Sequence, residues 1–410
     1  MNKVKKALLV FQSSRGGAGI AAIRMAEAFD NASSSWSVDI YSFDDLMHVK
    51  KISWVAIAKR VVNALVLGRN SRFRLSFKFF GVSFEKVPKL YDLIIIHSIS
   101  ELPWAFENLE KFLRSSIHSR GKILFHLHDE WLLTGGCFYS FECGGKFKGC
   151  IDCPLVKVTG LKAFPRNSHQ LKRNLLENLG VDISITAPSE WLVAKARAVY
   201  PKVPSSILRN PVLSKDLSWS DHAISEVAVG LIDEWRQNGF KIFAFGADSF
   251  DDPWKGSQQF WRGLKGLQDA RVRFLLFGSG SLHLVGREYF GLGFLDRDQM
   301  NALISQVDCY LHLALVENFS NTIVECLHIG TPVIASSVGG NPEFFENAPF
   351  NGVCLNSEKW ANYVNSKLFK FWIEGEGSKE ANQIKKRQLF IAEMVNSQIF
   401  VDQIEKLYAS

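Results

Sequence analysis

VENFSNTIVECLHIGTPVIASSVGGNPE, residues 316–343, decides the architecture. It reads as the end of a strand, a loop, a short helix and a second strand. Ser320 is suited to cap the helix, which runs over Thr322–Ile329, and Val333–Ser336 is a continuously apolar strand of the kind buried on both faces of a parallel sheet. Outward from this stretch the alternation repeats. Ile242–Gly246, Arg273–Phe277 and Cys309–Leu313 read as strands, with helices near Ser257–Leu267 and Asp296–Gln306. An earlier series, Ala7–Phe11, Val38–Tyr41, Asp92–His97, Lys122–His126 and Asp182–Ala187, alternates with amphipathic pieces such as Ile20–Phe29 and Glu190–Val199. Two runs of β-α alternation imply an α/β protein made of two Rossmann-like, doubly wound domains. The Asn-Pro break inside Leu208–Asp216 divides it into residues 1–210 and 211–377, and a helical tail, 378–410, is expected to pack back across the junction. Ligands of such sheets bind at the carboxyl ends of the strands, here expected in a cleft between the domains.

The 410 residues are 47% apolar and 22% charged, which excludes a disordered, collagenous or disulfide-scaffold chain. Lys and Arg number 48 against 41 Asp and Glu, a net +7 that is mild for the length and gives no ground for nucleic-acid binding. No window approaches the ~18 uncharged apolar residues of a membrane span. The apolar core of the first segment, Ala7–Phe11, is shorter than the roughly 7–15 residues of a secretory leader. It reads as a first strand, and a cytoplasmic protein is expected.

Two places can hold an anion. The loop Ser14–Gly19 follows the first strand and opens a helix, where Gly16 and Gly17 let backbone N–H groups approach a phosphate. It lacks the G-x-G-x-x-G spacing, and a plain tight turn is the alternative. The second is the helix start at Ser320, Asn321 and Thr322, bracketed by Glu317 and Glu325. Amides there can hold a diphosphate while the carboxylates accept bonds from sugar and ribose hydroxyls. A solvated helix face is the ordinary reading of two such glutamates; the surrounding motifs argue against it.

Those motifs resemble the retaining glycosyltransferases of the GT-B fold, family four. Glu317 and Glu325, with seven residues between them, match the family's glutamate pair. Gly330-Thr331-Pro332-Val333-Ile334-Ala335 and Gly339-Gly340-Asn341-Pro342-Glu343 match in order and spacing, and FAFGADSFDDPWKGSQQF resembles the segment that sets a lysine, here Lys255, against the donor diphosphate. The resemblance covers most of the chain and implies two domains facing each other across a cleft that takes a nucleotide-diphosphate sugar. It assigns the leaving diphosphate to Lys255 and to the helix start, the ribose to Glu325 and the sugar hydroxyls to Glu317. Of His126-Leu127-His128-Asp129-Glu130-Trp131, it places His128 near the donor sugar; a histidine satisfied inside a loop is the alternative. Where the family often has an arginine this chain has Ala247, which leaves more of the phosphate contact to Lys255. The family needs no catalytic metal, and no Asp-x-Asp pair is placed to hold one.

The loop after His128 carries Cys137-x5-Cys143-x6-Cys150-x2-Cys153. Four thiolates at this spacing suit a structural zinc; unligated thiols and, last, disulfides are the alternatives in a reducing compartment. The sequence HD-W-TGGC followed by cysteines narrows the resemblance to a bacterial polysaccharide-assembly subgroup of the colanic-acid type, with capsule or lipopolysaccharide among its products. The acceptor would be a glycan or a lipid-linked oligosaccharide. Lys50–Phe84 holds eight basic residues, no acidic one, and interleaved aromatic and aliphatic side chains. It reads either as a surface for an anionic membrane, at its inner face, or as helices packed on the first domain. Two rival functions share the scaffold, a non-catalytic nucleotide-sugar-binding subunit and a nucleotide-sugar epimerase.

Overall fold

The strands carry apolar residues on both faces, so neither sheet can leave a face to water. The computed structural model describes residues 4–11, 16–32, 35–42, 90–98, 100, 106–156, 163–213, 218–220, 223–267 and 271–410. The basic segment Lys50–Phe84 lies outside the described residues, as do Ser14 and Arg15 of the first glycine loop. The chain divides into two units, residues 1–211 with 397–410, and residues 212–396.

In the first unit, β1 (Lys5–Phe11), β2 (Trp36–Ser42), β3 (Tyr91–Ile96), β4 (Ile117–His126), β5 (Asp182–Ala187) and β6 (Ser205–Ile207) form a parallel six-stranded sheet. Its order is β2-β1-β3-β4-β5-β6. Successive residues of β1 and β3 alternate between the faces, and Leu8, Leu9, Ile94 and Ile95 are all buried. Helices α1 (Gly16–Asn31), α2 (Phe106–Ser116), α3 (Ala163–Asn178) and α4 (Glu190–Val199) connect the strands.

The second unit repeats the plan with β7 (Lys241–Ser249), β8 (Val272–Ser279), β9 (Tyr289–Gly291), β10 (Cys309–His312), β11 (Val333–Ser336) and β12 (Gly352–Leu355), ordered β12-β11-β10-β7-β8-β9. Its helices are α5 (Glu226–Gln237), α6 (Ser257–Lys265), α7 (Arg297–Gln306), α8 (Asn321–Ile329), α9 (Trp360–Val364), α10 (Lys367–Glu374) and α11 (Ala381–Val395). The period of two is explicit in β7, where Ile242 and Ala244 enter one hydrophobic cluster while Phe243 and Phe245 enter the cluster on the opposite face. Both layers are therefore dry, which is why these strands read as unbroken apolar runs.

The C-terminal tail splits between the units. Arg387 of α11, fully buried, donates to the carbonyls of Gly330, Phe350, Glu376 and Ser378 and holds this helix to the second unit. The last helix, α12 (Ser397–Ala409), belongs to the first unit. There Glu405 accepts from Lys5 Nζ at 2.6 Å and from Trp36 Nε1 at 2.7 Å. Among the described residues no helix is long and apolar enough to cross a membrane.

Candidate functional site

Each sheet reverses its direction of growth once. In the second unit the chain builds β7, β8 and β9 outward on one side, then returns to lay β10 against β7 and continues to β11 and β12. The point between β7 and β10 is thus the topological switch, where loops leaving the two strands diverge and open a crevice at their carboxyl ends. Lys255 leaves β7 and Glu317 leaves β10, so both flank that crevice.

The two loops are fastened to each other on either side of Lys255. Leu315 N donates to Trp254 O at 2.8 Å. Gly256 has a φ of +86°, and a Cβ at that position would lie 2.0 Å from Leu313 O. Lys255 Nζ then stands 3.9 Å from Glu317 Oε2, an ion pair that remains partly open to solvent. The Glu317 loop has a second clamp, since Gly340 N donates to Glu317 O at 3.1 Å. Gly339, at a φ of +58°, approaches the same carbonyl so closely that a Cβ would be 1.6 Å from it. The Gly-Gly pair of the 339–343 motif therefore serves backbone contact.

Beyond Glu317, Ser320 caps α8 and its hydroxyl accepts from Ile323 N at 3.2 Å. The N–H groups of Asn321 and Thr322 open the helix at its positive end. Glu325, one turn further, is buried within the same helix. His312, the last residue of β10, lies 3.8 Å from Glu317 Oε2. Burial, with Lys255 adding repulsion, pushes its pKa down to about 3, so the ring is neutral. Sequence reasoning missed His312; its signal was a polar residue closing an apolar strand in front of the glutamate loop.

In the first unit the switch point lies between β1 and β3. Gly16, at a φ of +80°, and Gly17 begin α1 just beyond β1, and both are exposed. His97 follows β3 and donates its backbone N–H to Val10 O at 2.8 Å. Its Nδ1 is 2.8 Å from Nε2 of His128, and the two rings stack with centroids 5.1 Å apart. His126 stands edge-on to both, bound to Thr186 Oγ1 and Asn210 Oδ1 at 3.0 Å each. Burial lowers the pKa of all three imidazoles, and the remaining ring contacts act in the same direction on His97 and His128. His128 is thus one of three neutral, mutually packed histidines, and the sequence had singled out only one.

The segment that follows is rigidly tied. Asp129 Oδ1 accepts from Trp131 N at 2.7 Å, and burial pushes its carboxyl up to about 7. Glu130, fully buried, pairs with Lys195 at 2.7 Å and Lys146 at 3.4 Å and accepts from Ser140 Oγ. Lys172 Nζ donates to Trp131 O and Thr134 O, at 2.7 and 2.9 Å. Past this platform Cys137, Cys143, Cys150 and Cys153 line one cavity, all four as free thiols. Burial pushes the Cys137 thiol up to about 12 and raises Cys150 and Cys153, so these are not activated nucleophiles. Among the described residues no group of three or more His, Cys, Asp or Glu side chains is already placed to hold a metal ion. The one Asp-x-Asp triplet near the second sheet, Asp296-Arg297-Asp298, is committed elsewhere. Asp296 forms a capping box with Gln299, and Asp298 accepts from Ser220 N at 2.9 Å.

Residues 267–407 match the family model of the glycosyl transferases group 1. The chain is 26% identical over 219 residues to the colanic acid biosynthesis glycosyl transferase WcaC of Escherichia coli K12, a match covering 52% of this chain and 51% of the relative. It therefore spans about half the length of that curated relative. Among solved structures, HepE of Anabaena, in complex with UDP and glucose, superposes with a TM-score of 0.57 at 18% identity, covering 99% of this chain and 100% of that one. Sucrose-phosphate synthase of Thermosynechococcus elongatus gives a TM-score of 0.60 at 14% identity, covering 99% and 98%. Identities this low bear on the fold, which is GT-B with two Rossmann-like domains. The family match is confined to residues 267–407, and the likeness to the solved structures extends the fold alone to the remainder of the chain.

Proposed function

We propose that the protein is a retaining, metal-independent glycosyltransferase that moves a sugar from a nucleotide-diphosphate sugar to a glycan or lipid-linked oligosaccharide in cell-surface polysaccharide assembly. The observation that carries this reading is the convergence of Lys255, Glu317 and the start of α8 at the switch point of the second sheet. Charge grows on the leaving diphosphate as the glycosidic bond to phosphate breaks, and preorganised donors aimed at that charge lower the barrier. Lys255 and the amides of Asn321 and Thr322 would supply them. Binding of diphosphate there separates Lys255 from its loose pair with Glu317, freeing that carboxylate for sugar hydroxyls. Glu325 would accept from the ribose, and the Gly16–Gly17 turn would add backbone donors to phosphate. His128 is assigned to orienting the sugar by the resemblance alone. HepE in complex with UDP-glucose supports the choice of donor class, and WcaC supports the polysaccharide pathway. Membrane docking through Lys50–Phe84 rests on the basic residues and interleaved apolar residues of its sequence alone.

A panel of UDP-, GDP- and ADP-sugars, read out by released nucleotide diphosphate with and without a lipid-linked glycan acceptor, tests the assignment. Acceptor-stimulated release is expected. Tight donor binding without turnover would identify a non-catalytic binding subunit, and turnover of the sugar without diphosphate release or acceptor would identify an epimerase.

A further inference from the structure

We infer that the loop 134–154 of the first unit is a structural zinc site with the thiolates of Cys137, Cys143, Cys150 and Cys153 as its four ligands. Four cysteines spread over 17 residues of chain all line one cavity of about 310 Å³, together with Lys146 and Lys148. Apart from the bonds of Ser140 and Lys146 to the buried Glu130, the loop has little to hold it. Its regular structure is one short 3-10 turn, at Gly144–Lys148, while Phe141, Phe147 and Ile151 are exposed. A metal ligated from four points would supply the cross-links that this loop lacks in apolar contacts.

Two of the sulfurs already accept backbone N–H donors. Gly135 N donates to Cys150 Sγ at 3.0 Å. The N–H groups of Leu155 and Val156 are directed at Cys153 sulfur, two and three residues ahead of it. Donors of this kind accept the excess charge of a metal-bound sulfur and fix its direction. The backbone shape agrees. Three of the four described non-glycine residues with positive φ are in this loop, Phe141 at 48°, Cys150 at 57° and Asp152 at 54°. Two of them fall in the Cys150–Cys153 turn, which bends to present both its sulfurs on the same cavity.

Charge balance supports the same assignment. Zinc bound by four thiols releases four protons and leaves a complex of net charge −2. Lys146 and Lys148 line the cavity, and Lys172 lies close enough to Cys137 and Cys150 to act on both thiols. Asp152 is the one acidic residue on the wall. The four side chains are not yet gathered in metal-binding positions, so the proposal requires the ion to draw them in by rotation of short side chains on a cavity they already share.

Full-length protein purified under reducing conditions from zinc-supplemented culture should carry about one zinc per chain by elemental analysis. Replacing zinc with cobalt(II) should give the intense thiolate charge-transfer absorption of a tetrahedral sulfur site. Cys150→Ser and Cys153→Ser should lose the metal, whereas Cys354→Ala, in the other unit, should keep it. Where a serine variant fails to fold, the wild-type cobalt spectrum decides. Reduced wild-type protein that holds no zinc and gives cobalt only the spectrum of the hydrated ion would overturn the site. Retention of zinc by a folded Cys150→Ser, Cys153→Ser double variant would do the same.

Discussion

Lys255 Nζ and Glu317 Oε2 lie 3.9 Å apart although 61 residues lie between them in sequence, because the loops that carry them are pinned at both flanks of the lysine. Trp254 O receives Leu315 N, and the missing side chain at Gly256 admits Leu313 O. A loose, part-exposed pair of this kind adds little stability, commonly under about 1 kcal/mol. Its placement at a switch point is what gives it a use.

Lys255→Ala should therefore leave unfolding nearly unchanged and cut sugar transfer by roughly 10²–10³-fold, the usual effect of removing a preorganised charge-stabilising group. Ala247 nearby can offer no substitute cation. Turnover of the folded variant at close to the wild-type rate would reject the role of Lys255.

Gly339→Ala places a Cβ against Glu317 O, where no more than 1.6 Å is open, at a φ of +58°. The backbone must shift, at a cost of about 1–3 kcal/mol, and the Glu317 loop shifts with it. Urea unfolding should show that loss, and donor turnover should fall with it. Gly16→Ala has open space, so only its φ of +80° opposes the change, and the smaller destabilisation of the two is expected there.

The two glutamates should separate kinetically. Glu325→Gln keeps an oxygen but removes the charge of the proposed ribose acceptor, and should weaken calorimetric binding of the nucleotide diphosphate about tenfold, the difference between a charged and a neutral hydrogen bond. Glu317→Gln should bind the diphosphate at least as well as wild type, since the acid beside Lys255 is gone, yet slow transfer. Undiminished nucleotide affinity in Glu325→Gln would remove it from the ribose.

Asp129 gives a pH test. Burial holds its carboxyl at about 7 in the folded protein against 3.8 ordinarily, so the folded state binds more protons than the unfolded state between those values. Its contribution to stability is full below about pH 4 and lost as the pH rises through 7. Asp129→Asn keeps an oxygen for Trp131 N and cannot ionise. The variant's stability relative to wild type should rise steadily from pH 4 to 7.5 in urea titrations. A difference that stays flat over that range would contradict the raised value.

What was legible in the sequence was whatever depends on local pattern. Asp182–Ala187, Val333–Ser336 and Glu190–Val199 appear with the bounds read from the apolar runs and caps. The edge strands Ser205–Ile207, Tyr289–Gly291 and Gly352–Leu355 were not legible, being three or four residues long and, for the most part, only half-buried. Helices such as Ala163–Asn178 escaped notice because they are largely polar and bury lysine and histidine where apolar residues were sought. The motif residues Glu317, Ser320 and Lys255 were readable one by one; that Lys255 and Glu317 meet was not, since their meeting depends on strand order. His97 and His312 were invisible for the same reason. Each becomes notable only when the sheet sets it beside His128 or Glu317.

The central claim is sugar transfer with retention from a nucleotide sugar. The most direct measurement is proton NMR of the anomeric signal, followed from the first turnovers with whichever α-linked donor the panel shows to release its nucleotide fastest, with glycan or water as acceptor. The account predicts that the first-formed product is the α anomer and that Lys255→Ala abolishes its build-up. A β anomer as the first-formed product, or no nucleotide release from any donor, would contradict it.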